Sequence, residues 1–145
     1  MPIYACTAAQ GRLTSAHKAE IAKGITDIYH EETGAPRYLV QVIFYDVAPG
    51  NHYVAGEPGS VDQVWVRCDT RSGKTNAEKT QMLRRIMKLV GNVIGAEEDA
   101  VAVLLNEIPS SNFTEFGELA PAPSEENAWF SSLPHRLRER LKALA

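Results

Sequence analysis

The chain has 145 residues, enough for one domain with an ordinary core. Its 15 basic and 18 acidic residues give a net charge of −3, with no basic face in the first hundred residues, which argues against nucleic acid as a partner. No apolar run approaches a membrane span and no charged-then-apolar leader opens the chain, so the expectation is a cytoplasmic protein with no membrane partner.

The first residues are Met1-Pro2-Ile3-Tyr4-Ala5. Methionine before a small residue is normally trimmed, which leaves Pro2 with a free secondary amine at the head of a strand over about 2–8. An α-amino group titrates at about 7.7–8.0, and burial or nearby cations lower that value. A neutral amine on a rigid strand is a general base at pH 7. Many cytosolic chains begin this way without using it.

A helix is expected at about 15–32, with Ile21, Ile25 and Ile28 on one face, then a β-branched strand, Tyr38-Leu39-Val40-Gln41-Val42-Ile43-Phe44. The order then recurs. Val64-Trp65-Val66 is a strand, and Thr75-Asn76-Ala77-Glu78 is a capping box opening a helix with Met82, Ile86 and Leu89 on one face. A further strand lies at Val101-Ala102-Val103-Leu104-Leu105.

Shifting the sequence by 61 residues, without gaps, places Gly34 on Gly95, Val40 on Val101, Val42 on Val103, Asn51 on Asn112 and Gly56 on Gly117. Lys18 falls on Lys79, Ile25 on Ile86, and Asp46 on the chemically similar Glu107. The pattern is two fused β-α-β units, about 2–58 and 63–118, within one domain spanning 1–145. The fold class is α+β: a four-stranded sheet with two helices on one face. The other, rather apolar face needs a cover, and a small ring of chains packing sheets inward provides one.

The tail, 119–145, has no counterpart in the repeat. It opens Ala120-Pro121-Ala122-Pro123-Ser124, and a short helix starting near Pro134 puts Leu133, Leu137, Leu141 and Leu144 on one side. Arg136, Arg138, Arg140 and Lys142 then form its solvated side.

Cys68-Asp69-Thr70-Arg71-Ser72-Gly73-Lys74-Thr75 joins a strand to a helix, but a phosphate loop would need glycine where this chain has Cys68. What the segment offers is two cations, Arg71 and Lys74, beside a helix N-terminus, a combination that suits a carboxylate. Gly11-Arg12 stands at the equivalent junction of the first unit. Basic residues in loops are equally often just solvated. Glu115, between Phe113 and Phe116, is a carboxylate in apolar company, where a raised pKa serves proton transfer. The alternative is a surface glutamate at a turn. His17, His30, His52 and His135 lack metal-ligand spacing, and no metal or cofactor is expected. Cys6 and Cys68 are expected as free, inert thiols.

Pro2, the fused β-α-β pair and the placement of Arg71 and Glu115 resemble the tautomerase superfamily, and within it the cis-3-chloroacrylic acid dehalogenase group. The resemblance is carried by Met1-Pro2-Ile3-Tyr4, Ile25-Thr26-Asp27, Tyr38 to Phe44, Glu107-Ile108-Pro109, Thr114-Glu115-Phe116-Gly117, and Trp129-Phe130 with Ser132-Leu133-Pro134. It implies a homotrimer acting on a small carboxylate, with Pro2 as acid or base and Arg71 and Glu115 as catalytic partners. Three further positions of that group depart here: its histidine is Tyr29, its second arginine Lys74, and its tyrosine Leu104. Arg12 matches an arginine that binds carboxylates in other tautomerases of the superfamily.

Hydrolytic dehalogenation needs a positioned, deprotonated water, which Leu104 cannot help to supply. Keto–enol tautomerisation asks for less. The expected function is therefore a proline-based tautomerase of small 2-oxo acids of the phenylenolpyruvate type. The alternatives are a dehalogenase-like hydratase or malonate semialdehyde decarboxylase, and a non-catalytic trimeric binder of small molecules.

Overall fold

The computed structural model describes residues 2–144. Met1, on which the expected trimming falls, lies outside them. Strand β1 (Ile3–Ala9) leads to helix α1 (Ser15–Thr33) and strand β2 (Gln41–Val47). A short hairpin follows, β3 (Tyr53–Val54) and β4 (Glu57–Pro58). The second unit repeats this with β5 (Val64–Arg71), α2 (Asn76–Ile94), β6 (Val101–Ile108), β7 (Thr114–Glu115) and β8 (Glu118–Leu119). Two tail helices close the chain, α3 (Glu126–Ser132) and α4 (His135–Lys142).

The four long strands form one sheet in the order β2-β1-β5-β6. Each crossover pair is parallel, and the two units meet antiparallel at β1 and β5. Helices, short hairpins and caps obey the 61-residue offset: Thr14 and Thr75 both cap a helix within capping boxes, and Gly34 and Gly95 both end one in the left-handed conformation that glycine adopts without steric cost. Even an ion pair repeats, Lys18 with Asp46 at 3.4 Å and Lys79 with Glu107 at 2.9 Å. The ungapped offset fails in the first strand of each unit. Ile3 pairs with Gln41 and Trp65 with Ala102, so β1 and β5 superpose at 62, because the turn from β5 into α2 is one residue shorter. This brings Cys6 onto Cys68, both buried. Burial pushes both thiols up to about 12, so they stay protonated near neutrality.

Tyr4, Cys6, Val64, Val66 and Cys68 pack from the sheet onto Ile21, Ile25 and Ile28 of α1 and Met82, Ile86 and Val90 of α2. Each wholly buried isoleucine contributes about 1.5–3 kcal/mol. The two helices approach closely at Gly24, where a Cβ would sit 2.5 Å from a methyl of Leu89. On the opposite face Ile3, Ile43, Tyr45, Trp65 and Leu104 are exposed.

Three sequence expectations change. The strand expected at 38–44 begins at Gln41, because Arg37–Leu39 forms a 3-10 turn pinned by Arg37 donating to Asp27 on α1 at 3.0 and 3.2 Å. The strand expected at Val64–Val66 continues to Arg71, which places that cation on a rigid element. The tail holds two helices rather than one, since Pro134 forces Leu133 into extended backbone between them. Leu133 and Leu141 are buried, whereas Leu144 is exposed.

Candidate active site

Arg71 is the last residue of β5 and only 6% exposed. A guanidinium so buried needs acceptors, and the tail supplies them. Nη1 donates to the Pro121 carbonyl at 2.6 Å and Nη2 to the Glu126 carboxylate. Among the described residues Nε has no acceptor.

Lys74 precedes the cap of α2. Its Nζ donates to Thr70 Oγ1 and to the Arg71 carbonyl, both at 3.1 Å, and lies 5.4 Å from the centre of the Tyr29 ring. Burial lowers its pKa, and the Arg71 charge adds to this. Tyr29, in the last turns of α1, turns its hydroxyl to Thr70 Oγ1 at 3.4 Å and stands edge-on to Tyr4. It therefore presents mainly its ring. Arg71, Lys74, Tyr29 and Glu126 line one cavity of about 260 Å³.

The backbone amides beside these cations are not free for a ligand. Gly73 and Lys74 donate to Glu107 Oε1 at 3.2 and 3.3 Å, and Thr75 donates to Glu78. The helix start expected to assist carboxylate binding is occupied by the protein's own carboxylates.

Glu115 lies in β7 and is 2% exposed. The hairpin turns through Phe116 at φ 51°, a left-handed conformation held by packing of its ring against Trp129. Burial raises the Glu115 pKa, opposed by the positive charge of the amino terminus and then by Arg71. Pro2 is buried, and its carbonyl accepts from Gln41 N at 3.1 Å. The head of β1, the end of β5 and the β7–β8 hairpin thus converge at one end of the sheet, though Pro2 and Glu115 are not among the residues lining the Arg71 cavity.

Arg12 and Leu104 stand elsewhere in the single chain. Arg12 follows the far end of β1, pairs with Asp62 at 3.4 Å and donates to the Ile94 carbonyl at 3.2 Å. Leu104 is half-exposed on the open sheet face. Neither lines the Arg71 cavity. His30 bonds the Ala35 carbonyl at 2.8 Å.

Two residues emerge that sequence reading passed over. Tyr38, displaced from the expected strand, has its pKa raised by burial and then by Glu115 and Glu126, and its ring meets Phe130 at 5.6 Å. Glu126 was hidden in a tail without a repeat counterpart. No spacing pattern links it to Arg71; only a search for an acceptor for a buried guanidinium could have suggested one.

Residues 1–132 match the Tautomerase_3 family model, described as "Putative oxalocrotonate tautomerase enzyme". Among solved structures, N1, a member of the cis-3-chloroacrylic acid dehalogenase family, is 38% identical, with a TM-score of 0.93 over 97% of this chain and 99% of that one. Native Ps01740 is 33% identical, with a TM-score of 0.74 over 78% of this chain and 99% of that one. A wild-type fused 4-OT symmetric trimer is 26% identical, with a TM-score of 0.74 over 81% and 94% of the two chains. No curated protein matches the chain.

Proposed function

The chain belongs to the Tautomerase_3 family, and from that premise we propose that it is a proline-based tautomerase of small 2-oxo acids of the phenylenolpyruvate type. The observation that carries this reading is that buried Arg71, with half-buried Lys74 beside it, stands at the same end of the sheet as Pro2 and the buried Glu115, whose carboxyl feels the charges of the amino terminus and of Arg71. Arg71 and Lys74 hold the carboxylate and the 2-oxygen of the enol. Once Met1 is removed, the neutral Pro2 amine takes the 2-hydroxyl proton and returns a proton to C3, leaving the 2-oxo acid. Glu115 orients Pro2. Tyr29 acts through its ring beneath Lys74, its hydroxyl being engaged by Thr70.

The working assembly is a homotrimer. Support comes from the apolar sheet face carrying Ile43, Trp65 and Leu104, and from the fused 4-OT relative, a symmetric trimer. In such a ring Leu104 faces a neighbouring chain and adds apolar surface for an aryl or alkyl substituent.

The test is ketonisation of phenylenolpyruvate, followed in the ultraviolet, by the Met1-trimmed protein and its Pro2→Ala variant. Turnover that falls about 10²-fold or more in the variant is the expected result, the usual size of a general acid–base contribution. An unchanged rate would overturn the proline mechanism.

A further inference from the structure

Three carboxylates and two cations line the Arg71 cavity, a fourth carboxylate, Glu107, bonds the amides of two lining residues, and their pairing decides what charge a ligand meets. Glu32 is spent on Arg85, and Glu78 on the Thr75 cap. Glu107 is spent on Lys79 and the Gly73 and Lys74 amides. Glu126 is spent on Arg71. Among the described residues Lys74 Nζ donates to neutral oxygens and no carboxylate lies within ion-pair distance of it. Arg12, the remaining candidate cation, is neutralised by Asp62 in a separate depression.

Resting on the carboxylate-substrate reading above, we infer that Glu126 is a specificity-determining residue that restricts this site to monocarboxylates by cancelling the charge of Arg71. With Glu126 in place, Arg71 keeps one further N–H on each terminal nitrogen for a ligand but offers little net charge. Lys74 is then the single cation not cancelled by a paired carboxylate among the described residues of the cavity, and one cation matches one carboxylate. A second carboxylate would sit beside Glu126, whose side chain is largely shielded from water, so like charges there repel more strongly than in open solvent. The second anionic group of a dicarboxylate would have no counter-charge.

The same contact sets the position of Arg71. Glu126 and the Pro121 carbonyl together take one hydrogen from each terminal nitrogen, so the guanidinium plane is fixed by the tail rather than by the β-α-β repeat. Substrate selection is thereby assigned to the segment in which the chain departs from its own internal symmetry.

The experiment is calorimetric titration of the full, Met1-trimmed protein and of Glu126→Gln with two unreactive acids, 3-phenylpropanoate and the dianion hexanedioate. Glutamine keeps an oxygen to accept from Arg71 but removes the charge. The wild type should bind the monoanion at least tenfold more tightly than the dianion. In Glu126→Gln both should bind more tightly, with the dianion-to-monoanion affinity ratio rising tenfold or more. A wild type that prefers the dianion overturns the inference whatever the variant does, and so does an unchanged ratio in a folded variant. Phenylenolpyruvate turnover is read separately: proline-dependent turnover without charge selectivity sinks the inference alone, whereas selectivity without turnover sinks the tautomerase reading alone.

Discussion

Arg71 and Glu126, 55 residues apart in sequence, form a direct ion pair whose side chains are only 7% and 15% exposed. Breaking a buried pair from one side leaves the other charge unpaired, at a cost of about 3–5 kcal/mol. Arg71→Ala should therefore lower the unfolding midpoint by roughly 6–20 °C, taking about 2–4 °C per kcal/mol at this chain length. Arg71→Ala with Glu126→Ala should recover a large part of that loss, as read by thermal unfolding. Equal losses in the single and double variants would mean that the pair carries no coupling.

Lys74 makes carboxylate binding depend on pH. Burial holds its ammonium below the usual lysine range, so the cation is lost at a lower pH than on an exposed lysine. Affinity for 3-phenylpropanoate should weaken as pH rises through that lowered value. Lys74→Arg should abolish the decline, since guanidinium stays charged throughout the accessible range. Titration at a series of pH values checks both.

Glu115 should oppose stability at neutral pH. Its folded pKa is raised chiefly by burial, so folding favours the protonated acid. That stabilisation is fully present below the ordinary glutamate value of about 4.3 and is lost as pH rises through the raised folded value. Glu115→Gln should unfold at a higher temperature than the wild type at pH 7, with the gap closing toward pH 4, and on the proposed mechanism its turnover of phenylenolpyruvate should fall.

Gly24 and Leu89 should be coupled. A methyl at Gly24 meets Leu89 at 2.5 Å, so Gly24→Ala trades a helix-propensity gain of about 1 kcal/mol against overpacking. In a Leu89→Ala background the same change should be stabilising by about 1 kcal/mol. Denaturant unfolding of the four proteins measures the difference.

The open sheet face should hold the assembly together. Leu104→Lys places a charge on a face that also exposes Ile43, Tyr45 and Trp65. Sedimentation should report a trimer for the wild type and smaller species for the variant. A variant that sediments like the wild type would move the interface elsewhere.

Much of the fold was legible because it is periodic and said twice. Isoleucine spacing on α1, the Thr75 capping box and the paired glycines each report a local energy preference that does not depend on distant residues. Two copies of the same preferences at one offset fixed the β-α-β units. The one-residue difference at β1 and β5 escaped because the matched positions lie in helices, β2/β6 and hairpins, and sheet register appears only once strands pair.

The sequence by itself determined the α+β repeat and the chemical types Pro2, Arg71, Lys74 and Glu115, because local propensity and side-chain identity belong to single residues and their near neighbours. Tertiary structure alone decided that Arg12 is held by Asp62, that the Tyr29 hydroxyl is spent on Thr70, and that Glu126 neutralises Arg71. Those are facts about which charges and donors meet in a buried space. Burial raises the cost of leaving any of them unpaired, and that cost is set by the folded neighbourhood rather than by spacing along the chain.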